Sequence, residues 1–313
     1  MSTQNVSRTK AWLMAARPQT LPAAAAPVAV GIGLALADGV FAALPALAAF
    51  VGAALIQVGT NFANDYYDAK QGADTENREG FTRVTASGLI DAAEVKRAMY
   101  LTFAAAILVG TYLVSVGGVP ILVVGLLSVA SGIAYTGGPY PLGYHGLGDL
   151  FVFVFFGVVA VTGTYYVQAA SVVADTFPVG IPPGTLPLLA VLASLPVAAI
   201  STNILVVNNV RDKEEDATTG KRTLAVRFGY GVARAEFVGL LVLAYAVPVA
   251  LLVFDRFEFG LPVLLPLLTL PYAALVTKTM LTETKGTALN PALEQTGKLL
   301  AGFSLLFAVG LAI

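Results

Sequence analysis

Cysteine is absent from this 313-residue chain, and charge is scarce, with Asp, Glu, Lys and Arg making up only 12% of it. Without cysteine there is no disulfide and no thiolate metal site, although the compartment is left open. Soluble domains carry roughly 25% charged residues, so a content this low excludes an ordinary water-soluble globule. The formal net charge of −1 offers no basic surface for a nucleic acid. Histidine occurs once, as His145. A signal peptide is missing as well. The stretch MSTQNVSRTKAWLMAARPQT (1–20) has no n/h/c architecture, and its first apolar run leads directly into more apolar sequence. It reads as a short cytosolic cap.

Apolar sequence is what the chain has in plenty. Hydrophobic residues are 57% of it, and the mean hydropathy is +0.79. A spanning helix needs roughly 20 mainly apolar residues. Uncharged runs of that order recur, and the run over 98–148 is long enough for two spans joined at SVGGVP (Ser115–Pro120). The pattern predicts an all-α polytopic membrane protein, a single membrane domain over 1–313. Its nine transmembrane helices form a bundle, at about 18–38, 42–66, 94–115, 119–136, 148–172, 185–210, 230–254, 259–280 and 292–313. The segments 66–94 and 211–229 are expected to be cytosolic active-site loops. Lys and Arg collect on the cytosolic side of a lipid bilayer. With the N-terminus inside, nine spans put 17 of the 18 basic residues there and leave only Arg256 outside. One span more or fewer scrambles that segregation. The expected setting is the plasma membrane, with the N-terminus and polar loops cytosolic and the C-terminus outside.

Polar sequence is concentrated in two places. Asn61–Arg83 reads NFANDYYDAKQGADTENREGFTR and begins as the end of a long apolar run. If the helix continues, Asn64 and Asp68 (i, i+4) and Asp65 and Asp68 (i, i+3) share a face. Carboxylates and a carboxamide clustered there repel unless a cation joins them. Oxygen-only ligands favour a hard ion, magnesium before zinc. Magnesium keeps part of its shell for water and phosphate, so a phosphorylated substrate completes such a site. Asn208–Thr223, NNVRDKEEDATTGKRT, repeats the signal with Asp212 and Asp216 at i, i+4. The clusters lie 144 residues apart, at the cytosolic ends of helices 2 and 6, which run in the same direction. That suggests parallel duplication of a four-helix unit rather than an inverted repeat. Two such clusters facing each other suit two or three magnesium ions around a diphosphate. The basic residues that follow them (Lys70, Arg78 and Arg83; Lys221 and Arg222) are candidates for the remaining phosphate oxygens. Ordinary charged loops capping membrane helices would account for one cluster, and poorly for two at matching ends.

NDYYD (Asn64–Asp68) resembles the NDxxD motif, and DKEED (Asp212–Asp216) the DxxxD motif, of the UbiA superfamily of intramembrane aromatic prenyltransferases. The similarity continues through ARPQTLPAAAAPVAVG (16–31), GADTENREG (72–80), AYTGGPYPLGYHGLGDLFVFVFFG (134–157), GTYYVQ (163–168), NNVRDKEEDATTGKRTLAVRFG (208–229) and LNPALEQTG (289–297). These segments look like the branch that uses 1,4-dihydroxy-2-naphthoate in menaquinone synthesis, the TGGPYPLGYHGLGD and GTYYVQ stretches most of all. The ubiquinone-type branch carries a basic segment after helix 4, and no Lys or Arg stands between Ala98 and Gly148 here.

The resemblance implies a UbiA-type bundle with Mg2+ as cofactor. Polyprenyl diphosphate would be the donor and 1,4-dihydroxy-2-naphthoate the acceptor, with no obligate protein partner. It implies Asn64, Asp68, Asp212 and Asp216 as magnesium–diphosphate ligands and Asp65 as a further contributor, the four aspartates carrying catalysis. Arg17, Lys70, Arg78, Arg83, Lys221 and Arg222 would contact diphosphate or carboxylate, and Asn208 and Tyr135 would complete the substrate-binding set. Asp74 fits a GxDTxxR element and would orient Arg78 or a metal-bound water.

Tyr66, Tyr67, Tyr135, Tyr140, Tyr165 and Tyr166 are candidate walls for an allylic cation, or else residues of an interfacial aromatic belt. His145 reads equally as a base, a quinol contact or a surface residue. Gln168, deep in helix 5 or nearer its outer end, more often bonds a neighbouring helix than a ligand. The small residues Ala23–Ala26, Gly31 and Gly33 either pack helix 1 closely or line a lateral portal for the prenyl tail. The 66–94 loop is expected to act as a lid over diphosphate. Competing readings are a related enzyme with another aromatic or lipid acceptor (4-hydroxybenzoate or homogentisate) and, more remotely, an ion-coupled transporter.

Overall fold

Proline, glycine and charge divide the apolar sequence into helices, and no strand occurs among the described residues of the computed structural model, 6–72, 83–254, 259–284 and 286–313. Helix α1 (Arg8–Ala16) is capped by Ser7, which accepts from the Lys10 amide. It stops at Arg17, which turns left-handed at φ 52°. Helix α2 (Pro22–Ala37) starts with proline at a position that needs no amide hydrogen, and the α1–α2 pair bends by 41°. Then come α3 (Ala43–Lys70) and α4 (Ala92–Ala134). After them come α5 (Gly148–Val173), α6 (Leu188–Arg211), the short α7 (Lys213–Thr218), α8 (Leu224–Val253), α9 (Leu261–Thr282) and α10 (Gly286–Ala312).

Helix α4 is 43 residues long, about twice what a ~30 Å hydrocarbon core accommodates at 1.5 Å per residue. It breaks at Gly118, with φ 68° and ψ −154°. The Val119 amide donates to the Pro178 carbonyl there, and a Cβ on residue 118 would overlap that same carbonyl. Only glycine fits both the dihedral and the space. Seven helices are long and apolar enough to cross a membrane, or eight with the bent α1–α2 pair. Dividing α4 at Gly118 brings the crossing segments among the described residues to nine. The nine expected from sequence are therefore approximate, because they depend on how two broken elements are counted. Helices α1 and α7 were not foreseen.

Leu101, Leu108, Leu126, Val242 and Leu268 point outward and are more than half exposed. Such side chains suit a protein whose solvent is lipid, and the chain is a multi-pass membrane protein. Helix α6 is its axis, with 72% of its apolar window buried against 17% for α4. Around α6 the core gathers Leu34, Ile200, Phe237, Phe303 and Phe307. Gly31 meets Thr164 of α5, and Gly33 meets the Ala308 backbone of α10. Close packing is therefore what these glycines provide, whereas Ala23 reaches a cavity.

Candidate active site

Helices α3 and α6 end on the same cavity, of about 680 Å³, so they run in the same direction. From α3 come Asn64 and Asp68, and from α6 and α7 come Asn208, Asp212 and Asp216. Asp68 is 1% exposed. Its carboxylate accepts from Arg83 Nη2 at 2.8 Å and from the Tyr144 hydroxyl at 2.8 Å. Lys221 Nζ stands 3.7 Å from Asp68 Oδ1 and 4.0 Å from Asp216 Oδ1. One ammonium thus joins the two motifs. Asn64 Oδ1 accepts from Thr136 Oγ1 at 2.9 Å, which ties the first motif to the turn after α4.

On the second motif Arg211 clasps Asp212 through both carboxylate oxygens, at 2.6 and 2.7 Å, and reaches Asn208 Oδ1 at 2.7 Å and Asn290 Oδ1 at 3.2 Å. Arg211 is buried, so this fork holds its partners in a low-dielectric setting where pairing is demanded. The loop after α4 is stapled onto the same region. The Tyr144 carbonyl accepts from the Arg222 amide at 2.8 Å, and Lys221 Nζ lies 4.9 Å from the Tyr144 ring centroid. Arg227 Nη2 donates to the His145 carbonyl at 3.0 Å.

A second cavity, of about 520 Å³, is almost wholly apolar and is walled by α2, α3, α4 and α5. Ala23, Tyr135, Val152 and Phe156 line both cavities. A polar chamber therefore opens beside an apolar one, with Tyr135 at the junction.

Asp65 departs from the expectation that it shares the ligand face. Its oxygens accept from the Val84 and Thr85 amides at 3.2 and 3.0 Å and from the Thr85 hydroxyl at 2.5 Å, and Arg17 Nη2 approaches to 4.0 Å. At three residues before Asp68 it is turned toward the 83–87 segment, and it does not line the cavity. The geometry makes it the anchor of the turn that carries Arg83. Lys70 is exposed at the end of α3, and the Arg222 side chain is exposed as well; neither lines the cavity. Arg17, Arg83 and Lys221 do line it. Asp74 and Arg78 lie outside the described residues, as do all of residues 73–82 of the expected lid.

Of the tyrosines, Tyr135 alone among those expected reaches the cavities. Tyr165 donates to Asp38 and Tyr166 to the Gly117 carbonyl, both away from the motifs. His145 stacks on Tyr140 with ring centroids 3.7 Å apart, outside the lining. Gln168 donates within its own helix to the Thr164 carbonyl. Tyr144 and Arg211 are cavity residues that sequence reasoning passed over. Arg211 could have been found from its place between Asn208 and Asp212, whereas nothing local marks Tyr144.

The donors at the two motifs are carboxylate and carboxamide oxygens, which suits a hard divalent ion. Among the described residues no three acidic or histidine side chains stand close enough to hold an ion by themselves. An ion here would draw its ligands from both motifs and from a phosphate, as magnesium commonly does.

Residues 24–289 match the family model described as the UbiA prenyltransferase family. A 1,4-dihydroxy-2-naphthoate octaprenyltransferase of Escherichia coli K12 is 38% identical, across 99% of this chain and 98% of its own. A Mycobacterium tuberculosis protein of the same name is 38% identical over 74% of this chain and 75% of its own. Among solved structures, an Aeropyrum pernix UbiA homolog superposes with a TM-score of 0.64 at 15% identity, covering 92% of this chain and 95% of its own. An Archaeoglobus fulgidus UbiA homolog bound to DMAPP and Mg2+ superposes at 0.60 with 17% identity, covering 95% and 99%. Matched along most of its length by family, relatives and fold, the chain belongs to the UbiA prenyltransferase family.

Proposed function

We propose that this protein transfers a polyprenyl group from polyprenyl diphosphate to 1,4-dihydroxy-2-naphthoate, releasing diphosphate and carbon dioxide and giving demethylmenaquinol, the reduced form of demethylmenaquinone. The observation that carries the reading is the meeting of Asp68 and Asp216 at Lys221, in a polar chamber that opens onto an apolar one. The names of the bacterial relatives support the acceptor and the prenyl donor, and the Mg2+ of the archaeal homolog supports the ion.

Asn64, Asp68, Asp212 and Asp216 would hold magnesium, which neutralises charge developing on the departing diphosphate. Asn208, held by Arg211, contacts the substrate beside them. Arg83 and Lys221, resting on carboxylates, are placed to turn onto phosphate oxygens. Asp74, Arg78, Lys70 and Arg222 remain candidate outer contacts of the same anion, and the 66–94 and 211–229 loops its cytosolic cover. The tail lies in the apolar chamber, whose walls exclude water from the allylic carbon. Tyr135 presents its ring at the junction, where that carbon would reside. Arg17 at the chamber wall suits the acceptor's carboxylate.

The allylic C–O bond breaks with its electron pair leaving on diphosphate. The ring carbon bearing the carboxylate then forms the new C–C bond. Loss of carbon dioxide returns the electrons of the old C–C bond to the ring, so no base is required to restore aromaticity. The polar chamber opens on the cytosolic face of a plasma membrane in this reading.

The test is magnesium-dependent release of carbon dioxide from carboxyl-labelled 1,4-dihydroxy-2-naphthoate with a polyprenyl diphosphate. Release that needs both magnesium and the donor is expected. Pyrophosphate formed only with a different aromatic or lipid acceptor would replace the naphthoate, and pyrophosphate formed with none would overturn the enzyme reading.

A further inference from the structure

The polar chamber contains a buried hydrogen-bond acceptor that neither aspartate motif uses. Gln57 on α3 is 7% exposed and lines the chamber two helical turns before Asn64. Among the described residues its Oε1 has no hydrogen-bond partner. A buried carbonyl oxygen left in that state costs free energy, so its persistence beside a substrate chamber calls for a ligand.

The orientation of the amide is fixed by its surroundings. The carbonyls of Ala16 and Arg17, at the bend between α1 and α2, can only accept. Asn61 Nδ2 donates to the Ala16 carbonyl at 2.9 Å, and Thr20 Oγ1 donates to the Arg17 carbonyl at 2.9 Å. Thr20 Oγ1, having spent its hydrogen, must accept, and it receives Asn61 Nδ2 at 2.9 Å and Gln57 Nε2 at 3.0 Å. Asn61 Oδ1 accepts the same Gln57 Nε2 at 3.4 Å. Flipping the Gln57 amide would oppose acceptor to acceptor at both contacts. The network therefore presents Oε1 as an acceptor that needs a donor.

The two substrates differ on this point. A prenyl diphosphate offers acceptor oxygens and hydrocarbon and no hydrogen-bond donor apart from a residual phosphate proton. The naphthoate offers two phenolic hydroxyls. A second orphan stands at the equivalent depth on α6, because Ser201 is 3% exposed, lines the same chamber, and has an Oγ without a partner among the described residues, two turns before Asn208. The hydroxyls of a 1,4-dihydroxyarene point in opposite directions, so reading both takes groups on two different helices.

We infer that Gln57 Oε1 accepts a ring hydroxyl of the aromatic acceptor, that Ser201 Oγ bonds the other, and that this pair selects 1,4-dihydroxyarenes. The inference rests on the proposed reaction and adds to it a specificity-determining subsite, set deeper than the aspartates.

The test compares 1,4-dihydroxy-2-naphthoate with its two mono-O-methyl ethers, in wild type, Gln57→Met and Ser201→Ala. Binding is read by equilibrium dialysis without prenyl donor, and KM for each substrate by steady-state kinetics. In wild type, the ether that blocks the Gln57 hydroxyl is expected to bind roughly ten-fold more weakly than the parent. Gln57→Met should weaken the parent by a similar factor, erase the penalty for that one ether, and leave KM for polyprenyl diphosphate unchanged. Ser201→Ala should reduce the penalty for the other ether only. A residue that merely supports the fold would not distinguish the ethers. The inference is overturned if wild type binds parent and both ethers alike, or if Gln57→Met keeps the full penalty for both. If wild type releases no carbon dioxide from the naphthoate, the proposed function fails, and this subsite fails with it.

Discussion

Lys221 stands where the two halves of the site meet, and removing its charge tests the proposed arrangement from both sides. Its ammonium is 3.7 Å from Asp68 and 4.0 Å from Asp216, with 13% of the side chain exposed. At an effective dielectric of ~20, each contact contributes about 4 kcal/mol of attraction before desolvation. Desolvating the three groups takes back much of that. A net of about 1–2 kcal/mol is left for an incoming cation to overcome, roughly a ten-fold factor in affinity. Lys221→Met should therefore lower the magnesium concentration for half-maximal activity by roughly ten-fold, because no ammonium competes for the carboxylates. The same substitution should reduce kcat by about 10²–10³, since a cation that stabilises the leaving diphosphate is gone. A magnesium titration of turnover in detergent or nanodiscs reads both quantities. Weaker magnesium use with unchanged kcat would refute the reasoning, because Lys221 would then support the ion site rather than share its ligands.

Three further predictions concern other parts of the bundle. Asp68→Ala and Asp212→Ala should each reduce carbon dioxide release by more than about 10³-fold while the protein still inserts in membranes, and retained turnover would remove the metal from the mechanism. Asp65→Asn should raise KM for polyprenyl diphosphate, through a loosened 83–87 turn and a displaced Arg83, yet leave magnesium half-saturation within about two-fold; a ten-fold rise in magnesium demand would restore Asp65 as a ligand. Gly118→Ala should destabilise the fold by about 2–4 kcal/mol, combining left-handed strain with overlap on the Pro178 carbonyl. Thermal unfolding checks this, and an unchanged midpoint would mean that α4 does not turn there.

Much of the bundle was legible because lipid imposes simple demands. Spans need length and apolarity, and basic residues mark one side, so the 98–148 run could be divided at SVGGVP, where Gly118 does break α4. The motif helices were legible for a related reason, since Asp68, Asp212 and Asp216 interrupt apolar sequence at helical spacing. Asp65 shows where that reasoning stops. Spacing puts it within the arc shared with Asp68, but which edge of an arc faces a cavity depends on the neighbours. Here two amides and a hydroxyl from residues 84 and 85 pull it away. Tyr144 and Gln57 were invisible for a second reason. Their partners are 76 residues away for Tyr144 and 37 residues away for Gln57, and no local periodicity encodes a contact of that range.

The chambers also constrain the order of binding. Tyr135, Val152 and Phe156 belong to both linings, so a prenyl diphosphate with its anion at the aspartates and its tail among α2–α5 must pass across them. Gln57, Thr20 and Arg17 line the polar chamber and not the apolar one. They offer a buried carbonyl acceptor and a guanidinium, the complement of a hydroxyl and a carboxylate on one ring. Prenyl diphosphate binding first would close the chamber's apolar side before the naphthoate enters, which protects the allylic carbon from water until a nucleophile is present. Product-inhibition kinetics decide the order: diphosphate competitive with the prenyl donor and non-competitive with the naphthoate is the expected pattern. Competition with the naphthoate instead would mean that the ring, and not the tail, enters first.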